Sequence, residues 1–70
     1  MMKEYVLKAS LRNGKILFLK EIKNEYPFKT PDIAEAQGFS SKAKAWAAFR
    51  TIPERNIGYE RWELVLRSAR

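Results

Sequence analysis

Apolar positions at the start of the chain gather in two runs of strand-forming residues, 4–11 (EYVLKASL) and 15–22 (KILFLKEI), on either side of Arg12-Asn13-Gly14-Lys15. Asn-Gly between such runs is the strongest short-range hairpin signal, because a type I′ turn needs positive φ at both central residues. A two-residue loop would pair Arg12 with Lys15, Leu11 with Ile16, Ala9 with Phe18, Leu7 with Lys20 and Tyr5 with Ile22. One face then collects Tyr5, Leu7, Ala9, Leu11, Ile16, Phe18 and Ile22, which predicts the core side. The other carries Val6, Lys8, Ser10, Arg12, Lys15, Leu17, Leu19 and Glu21.

Residues 23–31 hold two prolines and no apolar period, so they read as a loop leaving the sheet. Residues 32–38 suit a single helical turn, with Asp32 as its cap and Gly38 as its stop. Ser40-Ser41 then opens an Ala-rich helix that runs to about Thr51, ended by Pro53. Ala45, Ala48, Phe49 and Ile52 recur at helical spacing and define its buried stripe. Ala43, Trp46, Ala47 and Arg50 form a second stripe, suited either to docking a protein or to a Trp that wraps the core edge. After a polar turn over 54–58, residues 59–67 alternate again, with Trp62, Leu64 and Leu66 on one side and Arg61, Glu63, Val65 and Arg67 on the other. Met1 to Lys3 and Ser68 to Arg70 are expected to fray. The sum is an α+β fold over residues 1–70 as one domain, a three- to four-stranded antiparallel sheet in β-β-α-β order with one helix on one face.

A chain of 70 residues buries only about 60% of the surface it exposes unfolded, so one core is possible and two are not. With no cysteine and no histidine, disulfides and the usual structural zinc sites are excluded, and neither a metal nor a cofactor is expected. The core must rest on apolar packing, for which 46% hydrophobic residues suffice. The longest apolar run, residues 16–19, is far short of the ~20 that a membrane span needs. With no apolar signal segment, a cytoplasmic protein that avoids membranes is expected. Fourteen Lys and Arg against eight Asp and Glu give a net charge of +6, which favours nucleic acid or an acidic protein surface as partner.

Without His or Cys, a Ser triad and most acid-base schemes are unavailable, and the three glycines fit no phosphate loop. Glu60 and Glu63 fall on opposite faces of the last strand, and Asp32 with Glu35 reads as a capping pair. The chain is therefore expected to bind and not to catalyse. The candidate contact surface is the uncovered sheet face, where Lys8, Arg12, Lys15, Arg61 and Arg67 surround Leu17, Leu19, Val6 and Val65; an apolar patch edged by charge marks an interaction site. Only Tyr59 could offer a stacking platform there, which counts against a binder that stacks bases on sheet aromatics. A second candidate is an anion site at the helix start, where Ser40, Ser41, Lys42 and Lys44 crowd the first turn.

The arrangement of Tyr5-Val6-Leu7-Lys8, a hairpin, Ile33-Ala34-Glu35-Ala36 leading to Phe39, a helix with Ala45, and Glu63-Leu64-Val65 resembles short uncharacterised proteins encoded by bacteriophages and prophages. The resemblance implies a phage or bacterial origin and an accessory role in binding nucleic acid or host proteins, and it carries no site residue. Two expectations follow. The first is a basic accessory module with nucleic acid as partner; the second is a regulator or inhibitor of a host or phage protein, working as a homodimer.

Overall fold

The computed structural model of the chain describes residues 2–69. Its elements are β1 (Met2–Ser10), β2 (Ile16–Lys23), β3 (Tyr26–Thr30), a 3-10 turn at Ile33–Glu35, α1 (Lys42–Phe49), a 3-10 turn at Glu54–Asn56, and β4 (Arg61–Ala69). The strands form one antiparallel sheet in the order β3-β2-β1-β4, and α1 packs on one face. This is the expected α+β class, with the fourth strand drawn from residues read as loop.

That strand, β3, exists because the chain reverses at Asn24 and Glu25. Both have positive φ, 52° and 63°, so Lys23 pairs directly with Tyr26. This is the tight turn expected at Asn13-Gly14. Pro27 is tolerated because β3 lies at the sheet edge.

The first hairpin closes differently. Leu11 N–H donates to the Lys15 carbonyl at 2.9 Å, Gly14 N–H donates to the Leu11 carbonyl at 3.0 Å, and Asn13 Oδ1 accepts from Lys15 N–H. Gly14 has φ 86°, as expected, but Asn13 is not in the left-handed region. The loop is therefore three residues long, a turn followed by a left-handed glycine. It sets the register Lys8↔Phe18, Ala9↔Leu17 and Ser10↔Ile16, one residue away from the expected one. Side chains alternate with period two, so the slip sends Leu17, Phe18 and Leu19 to the faces opposite those expected, while the irregularity between Leu19 and Glu21 leaves Ile22 on the core side.

Leu7, Leu19, Phe39 and Ala45 form the buried core beneath α1, with Ile22, Trp46, Ala48, Phe49, Trp62 and Leu64 packed around them. Phe18, expected in this core, instead lies opposite Lys8 and Thr30 on the second sheet face. Ile52 is buried, as the helical spacing indicated. Trp46 wraps the core edge, its ring edge-on to Phe49 at 5.5 Å, and Phe49 in turn meets Trp62 at 5.4 Å. Leu66, expected under the helix, is 54% exposed. The eight-residue helix is capped by Ser41, whose hydroxyl accepts from Lys44 N–H, and it stops at Phe49, short of the expected end.

The second face is not left to solvent. Asp32 caps the Ile33–Glu35 turn by accepting from Ala34 N–H, and buried Thr30 donates to Glu35 and accepts from Asp32 N–H. The Arg67 guanidinium donates to Glu4 and to the carbonyls of Ile33 and Ala36, tying this turn to the strands. Residues 37–39 then fill the opening where β1 and β2 part: Gln37 N–H donates to Leu19, and Phe39 exchanges both backbone bonds with Tyr5. Lys3 and Ser68, expected to fray, pair with each other in β1 and β4, whereas Met1 and Arg70 lie outside the described residues.

Candidate functional site

The expected contact surface divides into three groups. Leu17 and Leu19 do not belong to it, since the three-residue loop turns them to the helix side, and Leu19 is fully buried in the core. Lys8 and Arg67 do lie on the second face, but each is held by a carboxylate, Lys8 by Glu63 at 3.1 Å and Arg67 by Glu4. Their charges are largely offset where they stand. Arg12, Lys15 and Arg61 remain exposed, and no carboxylate within ion-pair distance holds any of them among the described residues.

Arg12 and Arg61 meet at the corner where β1 ends and β4 begins. Lys15, expected on the same face, is turned with Leu17 and Leu19 to the helix side and stands across the turn from the other two. Arg12 is the first residue of the loop that follows β1, Lys15 is the residue after that loop, and Arg61 opens β4 opposite Ser10, the last residue of β1. Tyr59 stands just before β4 and is 88% exposed. The Arg12 guanidinium sits over its ring, 5.5 Å from the centroid, a cation-π contact that holds the ring in place. Shallow depressions run between them, lined by Leu11, Arg12, Asn13, Tyr59 and Glu60 on one side and by Ser10, Arg61 and Glu63 on the other. Glu60 does not cancel this charge: its Oε1 is 2.5 Å from Lys29 Nζ in a largely buried pair on the core side of β4. The other oxygen, Oε2, is buried without a hydrogen-bond partner.

An exposed aromatic face beside free guanidinium groups is the arrangement that stacks a base while cations hold the adjoining phosphates. From the sequence Tyr59 is the one aromatic that could offer a stacking platform, but nothing local places it beside Arg12, which belongs to a turn 47 positions earlier. The signal available in the sequence was an aromatic residue after Gly58, in a polar turn where no core position calls for one.

At the helix start the four residues expected to hold an anion are partly committed. Ser41 uses its hydroxyl to cap the helix, and Lys42 Nζ lies 6.0 Å from the centre of the Tyr5 ring. Ser40 and Lys44 are exposed. Among the described residues no group of three or more Asp, Glu, His or Cys stands close enough to hold a metal ion, and no helix is long and apolar enough to cross a membrane. No protein-family model, no curated protein and no solved structure matches the chain.

Proposed function

We propose that the chain is a non-enzymatic accessory module, of phage or prophage type and acting in the cytoplasm, that binds nucleic acid at the corner formed by Arg12, Tyr59 and Arg61, with Lys15 across the turn. The observation that carries this reading is the 88% exposed Tyr59 ring, flanked by cations that no carboxylate holds. Folding does not explain it, since an aromatic side chain loses more by facing water than it gains from a single cation-π contact. A stacked base would cover the ring, and Arg12, Lys15 and Arg61 would meet the flanking phosphates. One such platform suits a single strand better than a duplex, whose bases are already stacked.

The test is a titration of fluorescent single-stranded and duplex DNA and RNA from low to physiological salt. Binding is expected to favour single strands and to weaken as salt rises. Each cation removed should lower the slope of log K against log salt by about 0.7 on a single strand. Arg12→Glu with Arg61→Glu should therefore flatten the slope by about twice that, and Tyr59→Ala should cost about 1–3 kcal/mol on a single strand while leaving the slope alone. Binding that ignores all three substitutions, or no binding at low salt, refutes the proposal.

A further inference from the structure

The two edges of the sheet are built differently. β3 is five residues long and carries Pro27, and both features blunt an edge against pairing with another chain. β4 is nine residues long, has no proline, and pairs with β1 along its whole length without a bulge. Its outer edge pairs with nothing among the described residues. From this edge we infer that two copies of the chain join β4 to β4, antiparallel about a two-fold axis at Val65, into one continuous sheet.

Which amides face outward follows from the hydrogen bonds of β1. Tyr5 exchanges backbone bonds with Phe39, and Leu11 N–H donates toward β2, so the odd residues of β1 point away from β4. Tyr5 pairs with Leu66, and Leu7 with Leu64. In such non-hydrogen-bonded pairs both backbones point outward. The free edge therefore offers the N–H and C=O groups of Trp62, Leu64, Leu66 and Ser68.

A two-fold axis perpendicular to the sheet keeps each face on its own side, so a residue must pair with one of the same parity. Charge then selects among the registers left. Centring on Leu64 sets Arg61 against the partner's Arg67; centring on Glu63 or Arg67 sets each against its own copy. Like charges directly opposite are destabilising. Centring on Leu66 sets Arg67 against Val65, and centring on Trp62 sets Arg61 against the partner's Glu63 but overlaps the two strands only over residues 61–63. Only the register centred on Val65 brings Glu63 opposite the partner's Arg67, in non-hydrogen-bonded positions where side chains stand closest. Because Lys8 already holds Glu63 and Glu4 already holds Arg67, the contact extends two pairs into a chain of alternating charge.

The same register sets Leu64 against the partner's Leu66 on the helix face. Leu66 is 54% exposed in one copy and borders a groove lined by Tyr5, Trp46 and Leu64. Pairing covers both Leu66 side chains at the mouths of these grooves, and each outward amide meets its counterpart: Trp62 with Ser68, and Leu64 with Leu66.

The experiment is sedimentation equilibrium of nuclease-treated protein over a wide concentration range, with hydrogen exchange at both ends of that range. A dimer of the 8.2 kDa chain is expected to form as concentration rises, with the amides of Trp62, Leu64, Leu66 and Ser68 gaining protection together. The chain has no cysteine of its own. Val65→Cys is expected to give a disulfide-linked dimer on mild oxidation, since opposed non-hydrogen-bonded residues bring Cα atoms to about 4.5 Å, within disulfide range. Ser68→Cys is expected not to. Glu63→Arg, at a half-exposed side chain, should leave the circular dichroism spectrum unchanged and raise the dissociation constant tenfold or more. A monomer at every concentration overturns the inference and leaves the edge to a foreign strand. A dimer that Val65→Cys does not link, or that Glu63→Arg does not weaken, overturns it in favour of another surface.

Discussion

At single residues, the backbone conformation of three positions explains most of what the two turns do. Gly14 holds φ 86° with no other atom near the place of a β-carbon, so only its backbone resists substitution. Gly14→Val should cost about 1–2 kcal/mol by that strain alone, seen as a lower urea midpoint with an unchanged slope. Glu25 bears the same kind of strain without being glycine, and its contact with Arg55 is long, 3.8 Å, between two well-exposed side chains. Glu25→Gly should therefore raise the melting temperature, by up to about 1 kcal/mol in stability, since an exposed pair of this kind contributes little. The reversal at Asn24-Glu25 was not legible in the sequence for this reason: Asn tolerates the left-handed region, but nothing marks Glu as a residue that enters it. Asn13-Gly14 was legible as a turn and Gly14 as its left-handed residue. The loop length was not, because the three-residue alternative uses the same glycine.

For the strands and the helix, that single unread residue had wide effects. The hairpin, the helix with its Ser41 cap and the strand at residues 61–67 were all readable from period and capping chemistry. Which β2 side chains are buried depends on register, and register depended on the loop. Leu19, expected on an open face, is the test: it is fully buried against Leu7 and Phe39. Leu19→Ala should cost about 2–5 kcal/mol, enough to unfold most of a small domain at room temperature, whereas a Leu19 on an open contact face would lose almost nothing. Thermal melting followed by circular dichroism separates the two. The candidate site was legible in its cations and in Tyr59 as a lone aromatic, but not in the contact between them. Arg12, Lys15 and Arg61 were named from charge, but Tyr59 joins them through long-range pairing of β1 with β4, which no local pattern encodes.

Across the whole molecule, charge and architecture are coupled through one side chain. Arg67 joins β4, β1 through Glu4, and the Ile33–Glu35 turn through two carbonyls, so it closes the second face with a fork that a lysine cannot copy. Arg67→Lys should destabilise by about 1–3 kcal/mol and raise hydrogen exchange first in residues 33–39, ahead of the strands. Four carboxylates, Glu4, Glu25, Glu60 and Glu63, stand in ion pairs with Arg67, Arg55, Lys29 and Lys8, and none of the four neutralises Arg12, Lys15 or Arg61. The pairing of β1 with β4 also sets a timetable. Glu4 and Arg67 are 63 positions apart, so the central strand acquires one neighbour from a short hairpin and the other only by closing nearly the whole chain. Contacts of that separation slow folding toward the millisecond-to-second range typical of non-local sheets, which stopped-flow refolding can time. Until β4 arrives, the other side of β1 is a bare strand edge next to an incomplete core. The chain is thus most prone to aggregate during that interval, after the first hairpins have formed and before its last strand has docked.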